Sequence, residues 1–250
     1  MICTIGLAAH RGRVREGMED AIGILGWALQ ARDPEPASME LPLDSKPLTL
    51  VVCDGMGGYQ GGATASRQAA EHLSSPALWN GHTPDTAENA VADSCTALRQ
   101  LSADIDQRAI ADPHLRGMGT TAVGVHLFPD GTALGFNVGD SMLARVVDGR
   151  HLGTVSTPDR STTRGSTLSQ GLGAGLGSNI TPHTFVFNYE AGALFLLCTD
   201  GVTDMLTREE IRDTLTQAIH PTRIAQNLVE QANRAGGNDN ITALVASIRR

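Results

Sequence analysis

Several things are scarce in this 250-residue sequence, and each scarcity removes a class of function. Aromatic residues make up only 4% of the chain. No apolar run approaches the ~20 residues that a membrane-spanning helix needs. The 19 Lys and Arg are scattered among 27 Asp and Glu, for a formal net charge of -8. A clustered cationic footprint for a nucleic-acid backbone is therefore missing, and nucleic acid is not expected as a partner. The four cysteines, Cys3, Cys53, Cys95 and Cys198, show no Cys-x-x-Cys spacing. They read as small buried hydrophobes in a reducing compartment. The eight histidines form neither His-x-His nor His-Glu-x-x-His, which disfavours zinc. The opening "MICTIGLAAHRGR" has no basic leader before its apolar residues, so the expectation is a cytoplasmic protein without a membrane segment. A side-chain nucleophile is also hard to find: Cys53 and Cys198 end apolar runs, and Ser141 of "GDSM" has no histidine base nearby in sequence.

What is present is enough for one sizeable core, and residues 1–250 read as a single domain. Apolar or alternating runs at 2–8, 21–29 and 48–53 predict strands. Between the last two, "ARDPEPASMELPLDSKP" (31–47) carries four prolines and reads as a surface insertion. "ATASRQAAEHL" is helical by its alanines. A longer helix is predicted over 86–111, with Val91, Cys95, Leu98, Leu101 and Ile105 along one face. Then "GTTAVGVHLF", "TALGFNVGD", "SMLARVVDG" and "RHLGTV" follow one another across short turns, the pattern of an antiparallel meander. A Ser/Thr/Gly-rich stretch precedes two further strands, "HTFVFN" and "ALFLLC". Helices over 208–219 and 222–235 lead to a last strand, "NITALVASI". Strands and helices come in runs instead of strict alternation, which argues for an α+β sandwich over a parallel doubly wound sheet. "GLGAGLGS" fails the spacing of phosphate-binding glycine loops and reads as a strand-edge turn.

Four aspartates stand beside glycine or asparagine where apolar strands stop or start: Asp54 in "LVVCDG", Asp140 in "NVGDS", Asp200 in "LLCTDG" and Asp239 in "GNDNIT". "RVREGMEDA" adds Glu19 and Asp20 just before a strand. Taken singly, each Asp-Gly is explained by turn chemistry. Jointly they point elsewhere, because carboxylates gathered at strand ends repel one another unless a cation sits among them. Oxygen-only donors suit Mg²⁺ or Mn²⁺.

The ordered series "RVREGMED", "VVCDGMGG", "GMGTTAVGV", "NVGDSMLARV", "LLCTDGVTD" and "GNDNIT" resembles the type 2C metal-dependent protein phosphatases, the PPM family, in its compact bacterial form. The resemblance runs from about Gly6 to Ile248. It implies a β-sandwich of two antiparallel sheets flanked by helix pairs, two Mn²⁺ or Mg²⁺ ions at one end, and hydrolysis of phosphoserine and phosphothreonine in proteins. It also implies residue roles. Asp54 would bridge the ions, the Gly55 carbonyl would hold one, and Asp200 and Asp239 the other. Glu19 matches a ligand acting through water, Asp20 the acid that orients the attacking water, and Asp140 a ligand, with Asp200, of a third and weaker ion. Arg15 would take the substrate phosphate in a charge-assisted fork. The physical demand is the same without the family name: two divalent ions about 3.5–4 Å apart can neutralise a phosphate monoester, acidify a water and stabilise the leaving oxygen. Phosphorylated proteins and a cognate bacterial Ser/Thr kinase are the implied partners of a monomeric enzyme, and the stand-alone form resembles phosphatases of type VI secretion clusters. Rival readings are a non-catalytic binding or regulatory module of the same family, which would be expected to lose metal aspartates, and a phosphatase resetting an anti-sigma regulator.

The sequence also departs from the pattern. His10 stands in "AAHRG" where an aspartate is usual, Met56 follows the Asp-Gly pair where animal members have histidine, and Tyr59 and Thr64 replace a common histidine and glutamate. The segment 157–170 is a shortened flap, and Arg160 and Arg164 on it are expected to meet acidic or phosphorylated substrate, against the plainer reading that they are solvated loop charges.

Overall fold

The computed structural model describes residues 1–30, 33–44, 46–79, 84–161 and 167–250, apart from the side chains of Tyr59, Trp79 and Thr167. Two six-stranded antiparallel sheets face each other. The first has the order β9-β8-β11-β12-β1-β4, where β1 is Ile2–His10, β4 Ala37–Pro42, β8 Met142–Val147, β9 His151–Thr154, β11 Leu194–Cys198 and β12 Ile241–Arg249. The second has the order β10-β7-β6-β5-β2-β3, where β2 is Ala21–Ile24, β3 Trp27–Leu29, β5 Leu48–Cys53, β6 Ala122–Leu127, β7 Thr132–Val138 and β10 His183–Asn188. Helices α1 (Tyr59–Ser74) and α2 (Ala87–Ala111) cover the second sheet; α4 (Arg208–Leu215) and α5 (Pro221–Ala235) cover the first, beyond the short α3 (Asp200–Thr203).

This layering explains why "LTLVVC" is apolar at nearly every position. Leu48, Leu50 and Val52 point between the sheets with Ile5, Phe195 and Leu244, while Val51 and Cys53 point outward beneath Ala65, Leu98 and Leu101. A strand buried on both faces has no polar alternation to show. The outer face of the first sheet is closed in the same way by Ile224, Leu228 and Ala232 of α5 against Ala243 and Val245. Helix α2 starts where the sequence predicts: Thr86 accepts from the Asn89 N–H. Helix α4 opens on a capping box between Thr207 and Glu210 but ends at Leu215, four residues short of the expected 219. The glycine-rich stretch forms a turn beside the short strand Leu172–Gly173, paired to Gly119–Thr120, with Asp106 accepting from the Gly175 and Gly177 N–H groups.

Three expectations are corrected. The run 21–29 is a hairpin, not one strand, because Leu25 and Gly26 both take positive φ and turn the chain between β2 and β3. The segment 31–47 is not merely an insertion: Ala37–Pro42 pairs with β1 as an edge strand, a position where its terminal proline is tolerated. The four strands over 119–154 are not one meander. β6 and β7 pair in the second sheet, and after Asp140 the chain crosses to the first, where β8 pairs with β9 and β11.

Candidate active site

The same register brings the acidic motifs to one end of the sandwich. Ala21 pairs with Cys53 and Ala122 with Val138, so Asp20, Asp54 and Asp140 leave the second sheet together. Met142 pairs with Cys198 and Ile241 with His10, so Asp200, Asp239 and the loop bearing Arg15 leave the first sheet at that end. Between them lies a cleft of about 300 Å³ lined by Arg15, Glu19, Asp54, Gly55, Met56, Asp140, Asp200 and Asp239 among others. Asp20 lies completely buried behind it.

Backbone proximity explains the glycines better than turn chemistry does. A Cβ at Gly55 would stand 2.3 Å from the Gly62 carbonyl oxygen, and one at Gly201 1.9 Å from that of Asn240. Only glycine lets the loops meet so closely.

Hydroxyl groups fix the carboxylates. Thr199 and Thr242 both donate to Asp20 Oδ2, at 2.9 and 2.7 Å. The Thr120 hydroxyl donates to the Asp54 carbonyl at 2.8 Å, the Asp54 N–H donates to Thr121 Oγ1 at 3.0 Å, and Thr121 Oγ1 in turn meets Ser141 Oγ at 2.7 Å. Ser66 donates to the Glu19 carbonyl. Sequence reading missed these residues and Asn240, although all but Ser66 sit within a motif it used: "GTT" before β6, "GDS", "CTDG" and "DNIT".

Burial and mutual repulsion raise the carboxyl pKa values. Asp54 is pushed well above its ordinary range, first by burial and then by Asp20, Asp200, Asp239 and Asp140. Burial pushes Asp20 up to about 7 against the pull of its two threonines. Asp200 rises to about 6 through burial and the charges of Asp140, Asp204 and Asp239. Asp140 and Glu19 rise by burial, opposed by Arg160 and Arg15 respectively.

Among the described residues no three His, Cys, Asp or Glu side chains close on a point as a ready ion cage. Two arginines engage the acids instead. Arg15 Nη2 lies 2.6 Å from Asp239 Oδ2. Arg160 reaches Asp140 at 2.9 Å, Asp200 at 3.1 Å and Asp204 at 3.0 Å. The donor set nonetheless fits a hard divalent cation: every side-chain donor lining the acidic face is oxygen, and Asp20 Oδ1 and Asp200 Oδ1 are buried without a hydrogen-bond partner. The expectation for Arg160 is thereby revised, since its guanidinium turns into the carboxylates and not toward solvent. Arg164 lies outside the described residues. His10 ends β1, and its Nδ1 accepts from the Gly12 N–H at 2.9 Å. Thr64 donates to the Gln60 carbonyl within its own helix. Met56 lines the cleft, and the side chain of Tyr59 is not among those described.

A profile described as "Protein phosphatase 2C" matches residues 42–235. The serine/threonine phosphatase stp of Listeria monocytogenes is 28% identical over 252 residues, covering 94% of this chain and 92% of that protein. Protein phosphatase PhpP of Streptococcus pneumoniae is 28% identical over 215 residues, 80% of this chain and 85% of the relative. Among solved structures, PppA of Pseudomonas aeruginosa, described as a key regulatory component of T6SS, superposes with a TM-score of 0.76 at 24% identity over 98% of this chain and 97% of its own. The Mycobacterium tuberculosis serine/threonine phosphatase PstP gives 0.77 at 24% identity over the whole of both chains. These structural likenesses speak for the fold, and the profile match over more than half of the sequence settles the kinship: the chain belongs to the protein phosphatase 2C family.

Proposed function

We propose that the protein hydrolyses phosphoserine and phosphothreonine monoesters in proteins, with Mn²⁺ or Mg²⁺ held by Glu19, Asp54, the Gly55 carbonyl, Asp140, Asp200 and Asp239. The observation that carries the reading is the convergence of these groups from both sheets on one cleft, with buried, unpartnered oxygens on Asp20 and Asp200. Two ions would be held: Asp54 would contribute to both, the Gly55 carbonyl to one, and Asp200 and Asp239 to the other, while Glu19 would act through water. Asp140, with Asp200, would hold a third. When bound, the ions supply charge neutralisation of the phosphate and an acidified water.

The chain's own residues do the rest. Arg15, half exposed at the cleft mouth, is placed to grip phosphoryl oxygens in a fork once its partner Asp239 is otherwise engaged. Burial works against the Arg15 cation, but Asp239, Glu19 and Asp54 together raise its pKa, so it stays charged. Both threonines hold Asp20 Oδ2 and leave Oδ1 without a partner, so Oδ1 is the oxygen that would orient the attacking water. No histidine lines the cleft among the described residues, so leaving-group protonation is not assigned to a side chain.

Residues 1–250 are read as one monomeric catalytic unit, acting in the cytoplasm against a Ser/Thr kinase, with type VI secretion as the proposed setting. An adjacent kinase gene would support that setting. The activity is tested with Asp54→Asn, Asp200→Asn and Asp239→Asn, each expected to abolish Mn²⁺-dependent hydrolysis of a phosphopeptide and of p-nitrophenyl phosphate. Undiminished turnover in EDTA would overturn the reading. Calorimetric titration with Mn²⁺ separates it from a non-catalytic module that binds no metal.

A further inference from the structure

The loop from Arg11 to Glu19 carries the proposed phosphate-gripping arginine, yet it has no helix or strand of its own to hold it. Arg15 does not fix itself by packing, since its side chain is 52% exposed. The Arg13 N–H donates to the Gly237 carbonyl at 2.7 Å, the Arg11 N–H to Asp33 Oδ1 at 2.9 Å and Ser66 to the Glu19 carbonyl, but the tie that spans the loop from end to end is one buried amide. Asn240 Nδ2 donates to the Arg11 carbonyl at 2.9 Å and to the Gly17 carbonyl at 2.8 Å, closing the loop across its base. Asn240 Oδ1 accepts from the Glu19 N–H at 2.6 Å. The backbone N–H of the same residue donates to Asp239 Oδ1 at 2.8 Å, and Asp239 Oδ2 holds Arg15. Asn240 is only 3% exposed at the edge of the cleft, which leaves water little room to replace these partners.

The chemistry admits few other side chains. Two carbonyls demand a double donor and one N–H demands an acceptor, which is the inventory of a primary amide in a single orientation. Aspartate would turn an oxygen on two carbonyls, and an apolar residue would leave three backbone groups unsatisfied.

Resting on the phosphatase reading above, we infer that Asn240 is a positioning residue: it sets where Arg15 meets the substrate phosphate, and so governs phosphate affinity without touching the substrate. A displacement on the order of 1 Å at such a clamp can cost as much as about a hundredfold. The clamp works through Arg15, so the effect of losing it should vanish where Arg15 is already gone.

The test uses Mn²⁺-loaded full-length protein, with inorganic phosphate as the binding probe in calorimetry and a phosphopeptide as substrate. Asn240→Ala is expected to raise the phosphate Kd and the phosphopeptide KM about tenfold or more, 1.4 kcal/mol per tenfold, with a smaller change in kcat. In an Arg15→Ala background the same substitution should weaken phosphate binding little further, a non-additivity that a merely structural staple does not produce. Asn240→Asp keeps the acceptor for Glu19, loses both donors and should give the same pattern. Wild-type Kd and KM in a folded Asn240→Ala protein would overturn the inference. So would independent, multiplying losses with Arg15→Ala, or failure of both Asn240 variants to fold. A wild-type protein that binds phosphate but turns over no phosphopeptide would sink the phosphatase reading while leaving this one to be decided by the Kd.

Discussion

Removing one of the clustered carboxylates should make the metal-free protein more stable while destroying its activity, and Asp200 is the position where the size of the effect can be worked out. Its carboxyl is raised from 3.8 to about 6 by burial and by Asp140, Asp204 and Asp239. Its side chain is 22% exposed, so solvent screening removes only part of this. A folded-state pKa above the unfolded value means that the folded chain holds the proton more tightly. The favourable contribution is complete below pH 3.8, declines as the pH rises and is gone above about pH 6. A shift of about 2 units corresponds to about 3 kcal/mol. Asparagine at this position cannot ionise, so Asp200→Asn should match wild type near pH 4 and exceed it by up to about 3 kcal/mol at pH 8 in EDTA. For a chain of this length that is roughly 6–12 °C in Tm, at 2–4 °C per kcal/mol. Thermal melts in EDTA from pH 4 to pH 8 read the difference directly. Parallel curves for the two proteins across the range would refute the repulsion argument, and with it the claim that the acids need a cation. Excess Mn²⁺ should reverse the order, stabilising wild type and not the variant.

Other outcomes follow from single contacts. Thr242→Val strips one of the two hydroxyls from Asp20 Oδ2 and should cost about 1.5–3 kcal/mol by urea denaturation at pH 8, where the carboxyl is charged, and less at pH 5. Gly201→Ala puts a Cβ 1.9 Å from the Asn240 carbonyl oxygen; overpacking of this kind costs about 1–3 kcal/mol, and the displaced Asp239–Asn240 turn should remove Mn²⁺-dependent activity even at temperatures where the variant remains folded. Arg160→Ala frees Asp140, Asp200 and Asp204 from their guanidinium, so the Mn²⁺ concentration for half-maximal activity should fall while KM for a phosphopeptide changes little; a raised KM with unchanged Mn²⁺ dependence would restore the substrate-contact reading of Arg160.

Much of this was legible in the chain, and the division has a physical basis. Asp54, Asp140, Asp200 and Asp239 were visible because a strand buried on both faces is an unbroken apolar run, and a carboxylate at its end is conspicuous. The same property hid the sheet assignments. A run such as "GFNVGDSMLARV" looks identical whether the chain turns back along its own sheet or crosses to the facing one, because β7 is buried at all but its first position and β8 carries apolar residues on both faces, so neither shows an alternation that marks its sheet. Arg160 was misjudged because exposure of a loop cation is decided by three acids that are 20, 40 and 44 positions away, not by its neighbours in "TPDRST". The hydroxyl and amide partners were beyond reach for the opposite reason. Thr199, Thr242 and Asn240 are ordinary near turns, and only the fold shows that one points at Asp20 from 179 residues away and another closes a loop over 220 residues upstream.

Those unread contacts decide how the site is built. Glu19, Asp20 and Asp54 belong to loops of one sheet, Asp200 and Asp239 to loops of the other, so the spacing of the acids depends on how the two sheets sit across their shared core. Apolar packing sets that separation without direction, since burial rewards contact area and not register. Direction comes from the polar ties at the cleft end, each of which runs from the first sheet to the second: Thr199 and Thr242 to Asp20, and Asn240 to the Glu19 N–H. Buried hydrogen bonds are worth little net when made and much more when broken. A slip of one sheet against the other would strand a buried carboxylate and a buried amide together. The acids are therefore held at a fixed spacing by groups that never touch the substrate, and the repulsion among them persists because the surrounding hydrogen bonds leave them nowhere to relax.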